Sequence, residues 1–301
     1  MPELPEVETV RLGIEHLFAG HRIDAVRVFD ERSLKRHPGD SQDFTQTLIG
    51  AHLGQPQRRG KFLWIPLELA GASSVESAPP PALLAHLGMS GQLLAHDLSA
   101  DAPPLRHERI RIDTVDESGR HRELSFHDQR LFGSLAVDTL VADRFALRDL
   151  VPQQAAHIAP DPLEAGFDRA RLARSIRRHR SAVKRVLLDQ TTVSGIGNIY
   201  ADESLWAARV HPEQPADSLS QVRALRLVDA VVAVLRRAVS VGGTSFDEQY
   251  KHVNGESGYF AIELSAYGQT GQPCPRCGRP IKRVAFMNRH SHLCTYCQRM
   301  R

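Results

Sequence analysis

The chain has 301 residues, of which 42% are hydrophobic and 24% charged, and its formal net charge at pH 7 is +3. This length is sufficient for two domains with hydrophobic cores of their own. The sequence contains no run of about 18 apolar residues and no charged-then-apolar leader, so we expect neither a membrane-spanning helix nor a secretory signal peptide. We therefore expect a soluble, cytoplasmic protein.

The positive charge is concentrated in two segments. Residues 166–190 contain eight Arg or Lys side chains against two Asp, and residues 274–301 contain seven Arg or Lys side chains and no acid. The remainder of the chain is therefore net negative. Such polarisation favours a basic face that binds a polyanion, although solvated helix faces are often rich in arginine as well.

The first eight residues, MPELPEVE, contain a candidate nucleophile. Removal of the initiator Met, which a small second residue permits, leaves Pro2 with a free secondary amine, and the reference pKa of an α-amino group is about 8. Such an amine can attack the anomeric carbon of a sugar and form an iminium, and Glu3 beside it can donate or accept a proton. Pro and Glu are also common in ordinary first helical turns, so this stretch alone allows both interpretations.

A helix and a series of strands are predicted for the first half of the chain. Apolar residues at helical spacing predict a helix over residues 5–18 that Gly20 terminates. Strand-like alternation follows in five segments. These are residues 23–29, 61–69, 110–112, 124–126 and 135–137. With a surface loop at 71–82, they predict an N-terminal domain over residues 1–138, which is a β-sandwich or flattened barrel with an N-terminal helix.

The hydrophobic period becomes helical after a Pro-containing, aperiodic linker region at residues 139–162. Four helices are predicted beyond it. They cover residues 168–179, 181–190, 198–208 and 218–240. With the Gly-rich, polar residues that follow, they form a second domain over residues 163–262, and a Cys-rich unit occupies residues 263–301.

The four cysteines of the chain form one motif, C-x2-C-x16-C-x2-C. They are Cys274, Cys277, Cys294 and Cys297. The spacing is within the range of a four-thiolate structural zinc site, whereas two disulfides are disfavoured in a cytoplasmic chain. Because few apolar residues surround the cysteines, we expect the unit to need the metal to fold. A closed four-ligand site indicates that the zinc is structural and not the catalyst.

The run LDQTTVSGIGNIYA, residues 188–201, places a Gly-containing turn between two predicted helices. Asn198 is positioned to cap the second helix, and the N–H groups of that helix terminus suit a phosphate. An ordinary capped turn has the same features, so the run alone does not establish phosphate binding.

Two further segments, HLGMSG at residues 86–91 and DQRLFG at 128–133, place large side chains near glycines. Met, Arg and Phe on loop tips are poor core residues, but they suit an enzyme that must fill the stack emptied by a flipped base. Taken without other information, Met89 and Phe132 are equally ordinary core residues.

These segments, in this order along essentially the full chain, resemble the formamidopyrimidine-DNA glycosylases of bacteria. The resemblance implies an α+β fold with two domains: an N-terminal β-sandwich with an N-terminal helix, and a helical domain with a helix-two-turn-helix element that ends in a zinc-finger β-hairpin. It implies a bifunctional glycosylase and lyase of base excision repair. Such an enzyme removes oxidised purines (8-oxoguanine and formamidopyrimidines) from double-stranded DNA through a Pro2 Schiff base and cuts by β- and δ-elimination. The expected protein is a monomer with one structural zinc ion, and binds DNA in the nucleoid.

The resemblance also implies roles for individual residues. Those that would take part in catalysis are Pro2, Glu3, Lys61 and Arg289. Those that would contact the DNA backbone are His107, Lys184 and Asn198, and those that would enter the base stack are Met89, Arg130 and Phe132. A Gly-rich loop that includes residues 255–260 would close over the flipped base.

The chain departs from the family pattern at two places that bear on these roles. Leu131 stands where the family commonly has a second Arg before Phe132. After Arg289, the run His290-Ser291-His292-Leu293 replaces the usual Thr or Ser followed by two aromatic residues.

Two alternatives remain at the level of sequence. An endonuclease VIII-like glycosylase would prefer oxidised pyrimidines, but its start usually reads Pro-Glu-Gly-Pro, whereas this chain has Pro-Glu-Leu-Pro. A non-catalytic zinc-ribbon protein that binds DNA would need none of Pro2, Glu3 and Lys61.

Overall fold

The fold is known from a computed structural model, which describes residues 2–69, 79–97, 103–243, 253 and 264–300. Two compact units are formed by these residues. The first comprises Pro2, residues 6–157 and Val253, and the second comprises residues 3–5, 158–243 and 264–300. The predicted base-covering loop at 255–260 lies outside the described residues.

The first unit is built mainly from strands. Its helices are α1 (Leu4–Phe18) and α2 (Ser41–Leu48), with short 3-10 turns at Glu31–Leu34 and Gln153–Ala155. Its strands are β1 (Arg22–Val28), β2 (His52–Leu53), β3 (Gln57–Arg59), β4 (Phe62–Glu68), β5 (Pro81–His86), β6 (Gly91–His96), β7 (Glu108–Val115), β8 (His121–Asp128), β9 (Ser134–Ala142) and β10 (Leu150–Pro152).

The strands pair in the order β10-β9-β5-β4-β2-β1-β7-β8-β6, with β3 also on β4, and every named pair is antiparallel. The two-residue strand β2 connects the two halves of this path, and its pairing with β4 covers only two positions. Both halves and α1 contribute buried side chains to one core: Val10 and Ile14 from α1, Ile65 and Leu83 from β4 and β5, and Ile110 and Phe126 from β7 and β8. The predicted β-sandwich with an N-terminal helix is therefore confirmed.

Six helices and strands of this unit have no counterpart among the predicted segments: α2, β2, β3, β5, β6 and β10. The helix α2 is capped by Asp40, whose side chain accepts from the Asp43 N–H, and buries Phe44 and Leu48. It has only eight residues, too few for a clear helical period. The strand β10 pairs with the end of β9, so the first unit runs to His157 and the expected domain limit at residue 138 lies inside β9.

The second unit is mainly helical. Its elements are α3 (Arg169–Ile176), α4 (Val183–Leu188), α5 (Asn198–Ala208), a 3-10 turn at Ala216–Ser218, α6 (Gln221–Ser240), and the hairpin β11 (Lys282–Phe286) and β12 (Arg289–Leu293). The four predicted helices are all present. The helix α4 is shorter than predicted because Asp189 leaves the helical conformation and its carboxylate accepts from the Thr191 N–H.

The core of the second unit lies among its helices. It includes Leu4, Ile176, Val186, Leu205 and Leu235. No helix in the described part of the chain is both long and apolar enough to cross a lipid bilayer.

Candidate functional site

The carboxylate of Glu3 lies at the amino-terminal end of α5 in the second unit. Its oxygens accept from the backbone N–H groups of Gly197 at 2.6 Å, Ile199 at 2.9 Å and Tyr200 at 3.3 Å. The side chain is buried, with 2% of its surface exposed. Since a helix amino terminus favours negative charge, this arrangement holds Glu3 as a fixed carboxylate beside Pro2 in the sequence.

The space beside the Gly197 Cα atom leaves no room for a side chain. A Cβ atom added at Gly197 would overlap the Glu3 carboxylate and would lie 2.7 Å from its Cγ atom. The N–H of Leu4 donates to the Gly195 carbonyl at 3.0 Å, which fixes the main chain on the other side of Glu3. The glycines of this turn therefore serve the approach of Glu3.

The predicted cap of α5 by Asn198 is wrong. Asn198 is the first helical residue, Gly197 occupies the cap position without a side-chain bond, and the acidic partner comes from Glu3. The Asn198 amide instead donates to the His290 carbonyl at 3.1 Å. The N–H groups of Gly197, Ile199 and Tyr200 are thus used by Glu3, and the expectation that they would bind a phosphate is not met.

The expected phosphate contact of Lys184 does not fit its position either. Its side chain is 0% exposed, and its ammonium lies 2.6 Å from Asp202 Oδ1. It also donates to the His290 carbonyl at 3.0 Å and to Ser291 Oγ at 2.9 Å. Burial lowers the pKa of Lys184, and the negative charge of Asp202 opposes that change. The interaction is an internal ion pair that joins α4, α5 and β12.

Arg289 begins β12 and stands next to the turn of the basic hairpin. The turn residue Met287 has a φ of 51° and is 64% exposed. Arg289 itself is partly exposed, and its Nε donates to Asn288 Oδ1 at 3.3 Å. The predicted hairpin with an accessible Arg is therefore present.

The four cysteines converge below this hairpin. Their Sγ atoms all lie within 4.8 Å of one another, and those of Cys277 and Cys294 are 3.5 Å apart. A tetrahedral zinc site with bonds of about 2.3 Å requires sulfurs about 3.8 Å apart, so the group fits one zinc ion. All four thiols are free, which contradicts the disulfide alternative.

The crowding of the four thiols is reflected in their pKa values. Burial and hydrogen bonds with the neighbouring thiols raise the pKa of Cys297 to about 12. Burial likewise tends to raise the pKa of Cys274, but donors such as the Trp206 indole, 3.4 Å from its Sγ, lower it to about 7. Four thiolates at this spacing repel one another, and a divalent cation would compensate their charge.

In the first unit, Lys61 lies in the tight turn between β3 and β4. Gly60 has a φ of 57°, and Arg59 pairs with Phe62 across the turn. The Arg59 guanidinium forms two bonds to Asp143, at 2.8 and 2.6 Å, and both side chains are completely buried. This buried pair fixes the base of the turn that presents Lys61.

The neighbourhood of Lys61 is strongly positive. Burial and the charges of Arg36, Lys61 and Lys35 lower the pKa of His86 to about 4. His86 is therefore neutral at pH 7, and its Nδ1 accepts from the Gly88 N–H at 3.2 Å. Three cations around one neutral ring suit an anionic ligand such as a phosphate.

The loops that carry Met89 and Phe132 are in backbone contact. Gly88 has a φ of 60°, and a Cβ atom added there would overlap the Phe132 main chain. Phe132 is 48% exposed, and the Arg130 guanidinium lies 5.2 Å from the centre of its ring. Met89 is partly buried. The three predicted wedge residues therefore lie on adjoining loops, and Phe132 is accessible.

Asp128 fixes the conformation of these loops. Its carboxylate accepts from the N–H groups of Arg130 at 3.0 Å and Gly133 at 2.7 Å and from Ser90 Oγ. Leu131, where the family commonly has Arg, takes a φ of 57°, and its carbonyl accepts from Lys35 Nζ at 2.7 Å. A hydrogen bond thus holds the backbone of this loop even though Leu131 stands where the family commonly has Arg.

His107 lies beside the same loops. Its φ is 64°, and its carbonyl accepts from the Asp128 N–H at 2.9 Å. It lines a cavity of about 490 Å³ together with Ser90, Arg106, His127 and Gln129. A DNA-contacting role is compatible with this partly exposed position.

Sequence reasoning did not single out the buried carboxylates that hold these residues. Asp143 anchors the Lys61 turn, Asp128 the wedge loops, and Asp202 the lysine that was taken for a phosphate ligand. An isolated Asp carries no local signal of this role. Only the pairing with a distant Arg or Lys shows it.

Three family models match the chain in order. They are the formamidopyrimidine-DNA glycosylase N-terminal domain at residues 1–135, the formamidopyrimidine-DNA glycosylase H2TH domain at 158–249, and a zinc finger found in FPG and IleRS at 271–299. Curated relatives agree. A formamidopyrimidine-DNA glycosylase of Leifsonia xyli is 51% identical over 309 residues, with 100% of both chains covered. One of Salinispora arenicola is 47% identical over 298 residues, covering 99% of this chain and 96% of the relative.

Solved structures with the same fold contain damaged DNA. The complex of Lactococcus lactis Fpg with DNA containing an abasic site has a TM-score of 0.80 and 29% identity, and covers 99% of each chain. The complex of MutM with DNA containing carbocyclic 8-oxo-G has a TM-score of 0.78 and 29% identity, and covers 99% of this chain and 100% of that one.

Proposed function

We propose that this chain, which belongs to the formamidopyrimidine-DNA glycosylase family, excises oxidised purines from double-stranded DNA and then cleaves the strand, with Pro2 as nucleophile. The observation that carries the proposal is the fixed carboxylate of Glu3, which three N–H groups of α5 hold next to Pro2 in the chain. A DNA-binding protein without catalysis has no need of a buried carboxylate at this position.

In the proposed reaction, the Pro2 amine forms a bond to C1′ of the damaged nucleotide as the bond from C1′ to the purine breaks. The purine leaves with the electron pair and takes up a proton. The amine then loses its own proton, O4′ of the sugar takes one up as its bond to C1′ breaks, and the opened sugar is held as an iminium. Loss of a C2′ proton then expels the 3′ phosphate, and a second elimination expels the 5′ phosphate. Glu3 is the proposed acceptor and donor of these protons.

Lys61 and Arg289 are the proposed phosphate and sugar contacts. Lys61 extends from a turn that a buried ion pair fixes, in a region where burial and the charges of Arg36, Lys61 and Lys35 lower the pKa of His86. Arg289 is partly exposed beside the hairpin turn. A guanidinium binds phosphate through two parallel hydrogen bonds, so Arg289 suits the DNA backbone.

Met89, Arg130 and Phe132 are the proposed wedge. Their loops adjoin, and the Phe132 ring is 48% exposed. Since a flipped base leaves a gap in a duplex, an apolar ring and a cation on rigid loops can fill it. His107 and Asn198 are proposed to contact the backbone. One chain contains all of these groups, so we propose a monomer, and one zinc ion held by the four cysteines supports the hairpin.

Borohydride trapping tests the nucleophile. Reduction during reaction with an 8-oxoguanine duplex should give a covalent complex, and peptide mapping should place the adduct at Pro2. A Pro2→Gly variant is unsuitable as a test, because it retains a primary amine. An adduct mapped to Lys61 in the wild-type protein would refute the assignment.

Substrate choice is tested separately. Single-turnover rates on 8-oxoguanine opposite cytosine should exceed those on an oxidised pyrimidine in the same duplex. The opposite ranking would replace the proposed substrate class with that of the endonuclease VIII-like enzymes, while trapping at Pro2 would still hold.

A further inference from the structure

Asp202 is a buried carboxylate on α5 that the proposed reaction does not use. It is 1% exposed. Its Oδ1 lies 2.6 Å from the ammonium of Lys184, and its Oδ2 accepts from the His292 backbone N–H at 2.8 Å. The same Oδ2 lies 3.2 Å from Nδ1 of the His292 ring. Two side chains and one backbone group therefore converge on one carboxylate.

All of these contacts lead to the strand that begins with Arg289. Lys184, held by Asp202, donates to the His290 carbonyl at 3.0 Å and to Ser291 Oγ at 2.9 Å. Asp202 itself takes the N–H of His292. Three consecutive residues after Arg289 are thus attached to α5 through one ion pair.

The same helix also holds Glu3. The N–H groups of Gly197, Ile199 and Tyr200 bind the Glu3 carboxylate at the start of α5, and Asp202 lies on the next turn. The side-chain amide of Asn198, the first residue of α5, donates to the His290 carbonyl at 3.1 Å. One helix therefore fixes both Glu3 and the backbone next to Arg289.

His292 is the feature that distinguishes this chain. It stands in the run that departs from the family pattern after Arg289. Its ring contacts Asp202 and packs at 4.8 Å, edge to face, against Tyr267. A phenylalanine side chain at position 292 could fill the same space but could not form a hydrogen bond with the Asp202 carboxylate.

We infer that Asp202 is a positioning residue for Arg289, setting the place of the Arg289 backbone relative to Glu3 through Lys184 and His292. This inference rests on the proposed role of Arg289 in binding the substrate. Since displacement of a catalytic constellation by about 1 Å can cost about 100-fold in rate, a loosened β12 should impair excision even though Asp202 does not touch DNA.

A double-mutant cycle on excision tests the inference. Asp202→Asn keeps the size of the side chain and removes its charge. We expect it to lower kcat/KM for 8-oxoguanine excision by about 10- to 100-fold. Combined with Arg289→Ala, it should add almost nothing to the loss caused by Arg289→Ala alone, since both act through the same group.

Asp189 provides the control. It follows α4, and its carboxylate accepts from the Thr191 N–H at 2.9 Å and from the hydroxyl groups of Thr191 and Thr192. Because these partners lie in the turn after α4, any effect of Asp189→Asn on excision should multiply with that of Arg289→Ala. Melting temperature and zinc content show whether each variant is folded.

A second variant covers the case in which Asp202→Asn does not fold. His292→Phe removes only the ring contact and keeps the backbone N–H, so its smaller loss should also vanish in the Arg289→Ala background. The inference is overturned if the effect of folded Asp202→Asn multiplies with that of Arg289→Ala, as the effect of Asp189→Asn should. If Asp202→Asn does not fold, the same result with His292→Phe overturns it. If Arg289→Ala alone leaves excision unchanged, the proposed role of Arg289 fails, and the positioning role fails with it.

Discussion

Replacement of Gly197 by Ala should remove the function of Glu3 without changing the Glu3 side chain itself. The backbone of Gly197 has φ −122° and ψ −157°, an extended conformation that alanine adopts without strain. The added Cβ atom, however, would overlap the Glu3 carboxylate and lie 2.7 Å from its Cγ. The carboxylate must therefore move away from the amino terminus of α5.

The size of the effect follows from the bonds that would be lost. Glu3 accepts from three N–H groups, the shortest bond being 2.6 Å from Gly197 N. A hydrogen bond to a charged group contributes about 1.5–3 kcal/mol, so loss of one should lower the free energy of unfolding by that amount. Loss of a positioned acid or base should lower excision by about 100- to 10,000-fold.

Single-turnover excision of 8-oxoguanine is the assay, with binding to a duplex containing an uncleavable abasic analogue measured in parallel. Gly197→Ala should match Glu3→Gln in excision while retaining DNA binding. The combined variant should be no slower than Glu3→Gln alone, because both changes remove the same function. Excision at the wild-type rate by folded Gly197→Ala would show that the observed position of Glu3 is not required.

Three other predictions follow from the described contacts. Asp143→Asn should lower the free energy of unfolding by about 3–5 kcal/mol, because it leaves the Arg59 guanidinium buried and unpaired. Despite its burial, bonds from Arg59 and the Phe145 N–H lower the pKa of Asp143 to about 2. The difference in the free energy of unfolding between wild type and Asp143→Asn should therefore be complete above pH 3.8, the ordinary pKa of an aspartate. It should decrease as the pH falls towards 2. A difference in urea midpoint that is constant across this range would contradict the pairing. Phe132→Ala should slow excision from duplex more than from single-stranded DNA, since extrusion from a duplex costs a few kcal/mol, and a wild-type rate on duplex would exclude the wedge role. Elemental analysis should find one zinc per chain, and Cys294→Ser should lose it, unfold the hairpin unit and weaken DNA binding while the N-terminal unit stays folded. Zinc-free wild-type protein, purified without chelator, would contradict the site.

Local periodicity predicted most of the fold correctly. The helices α1, α3, α5 and α6 repeat apolar residues over two or more turns, and β1, β7 and β8 alternate in sequence. The helix α2 and the strands β2, β3 and β10 were missed because they are short, with eight, two, three and three residues. The stability of α2 depends on a cap at Asp40 and that of β10 on pairing with β9, which local patterns show weakly. The strands β5 and β6 have six residues each but do not alternate, since two consecutive Leu residues are buried in each.

The site was harder to predict where a side chain depends on a distant partner. Lys184 lies in a basic stretch, and only the fold shows that it points inward to Asp202, on another helix. The cap of α5 was likewise assigned to Asn198 by a local rule, whereas the acceptor is Glu3, 194 residues before Gly197. The four cysteines were predicted correctly because their spacing alone contains the geometry.

The occupied terminus of α5 also constrains how the protein can bind DNA. A helix amino terminus is a general anion site, and here the anion is the carboxylate of Glu3, which uses the N–H groups of Gly197, Ile199 and Tyr200. A phosphate placed there would have to displace the Glu3 carboxylate from these N–H groups. On the proposed role of Arg289, binding of the DNA backbone near this helix would come from that side chain instead, and the buried bonds that attach β12 to α5 would hold it in place.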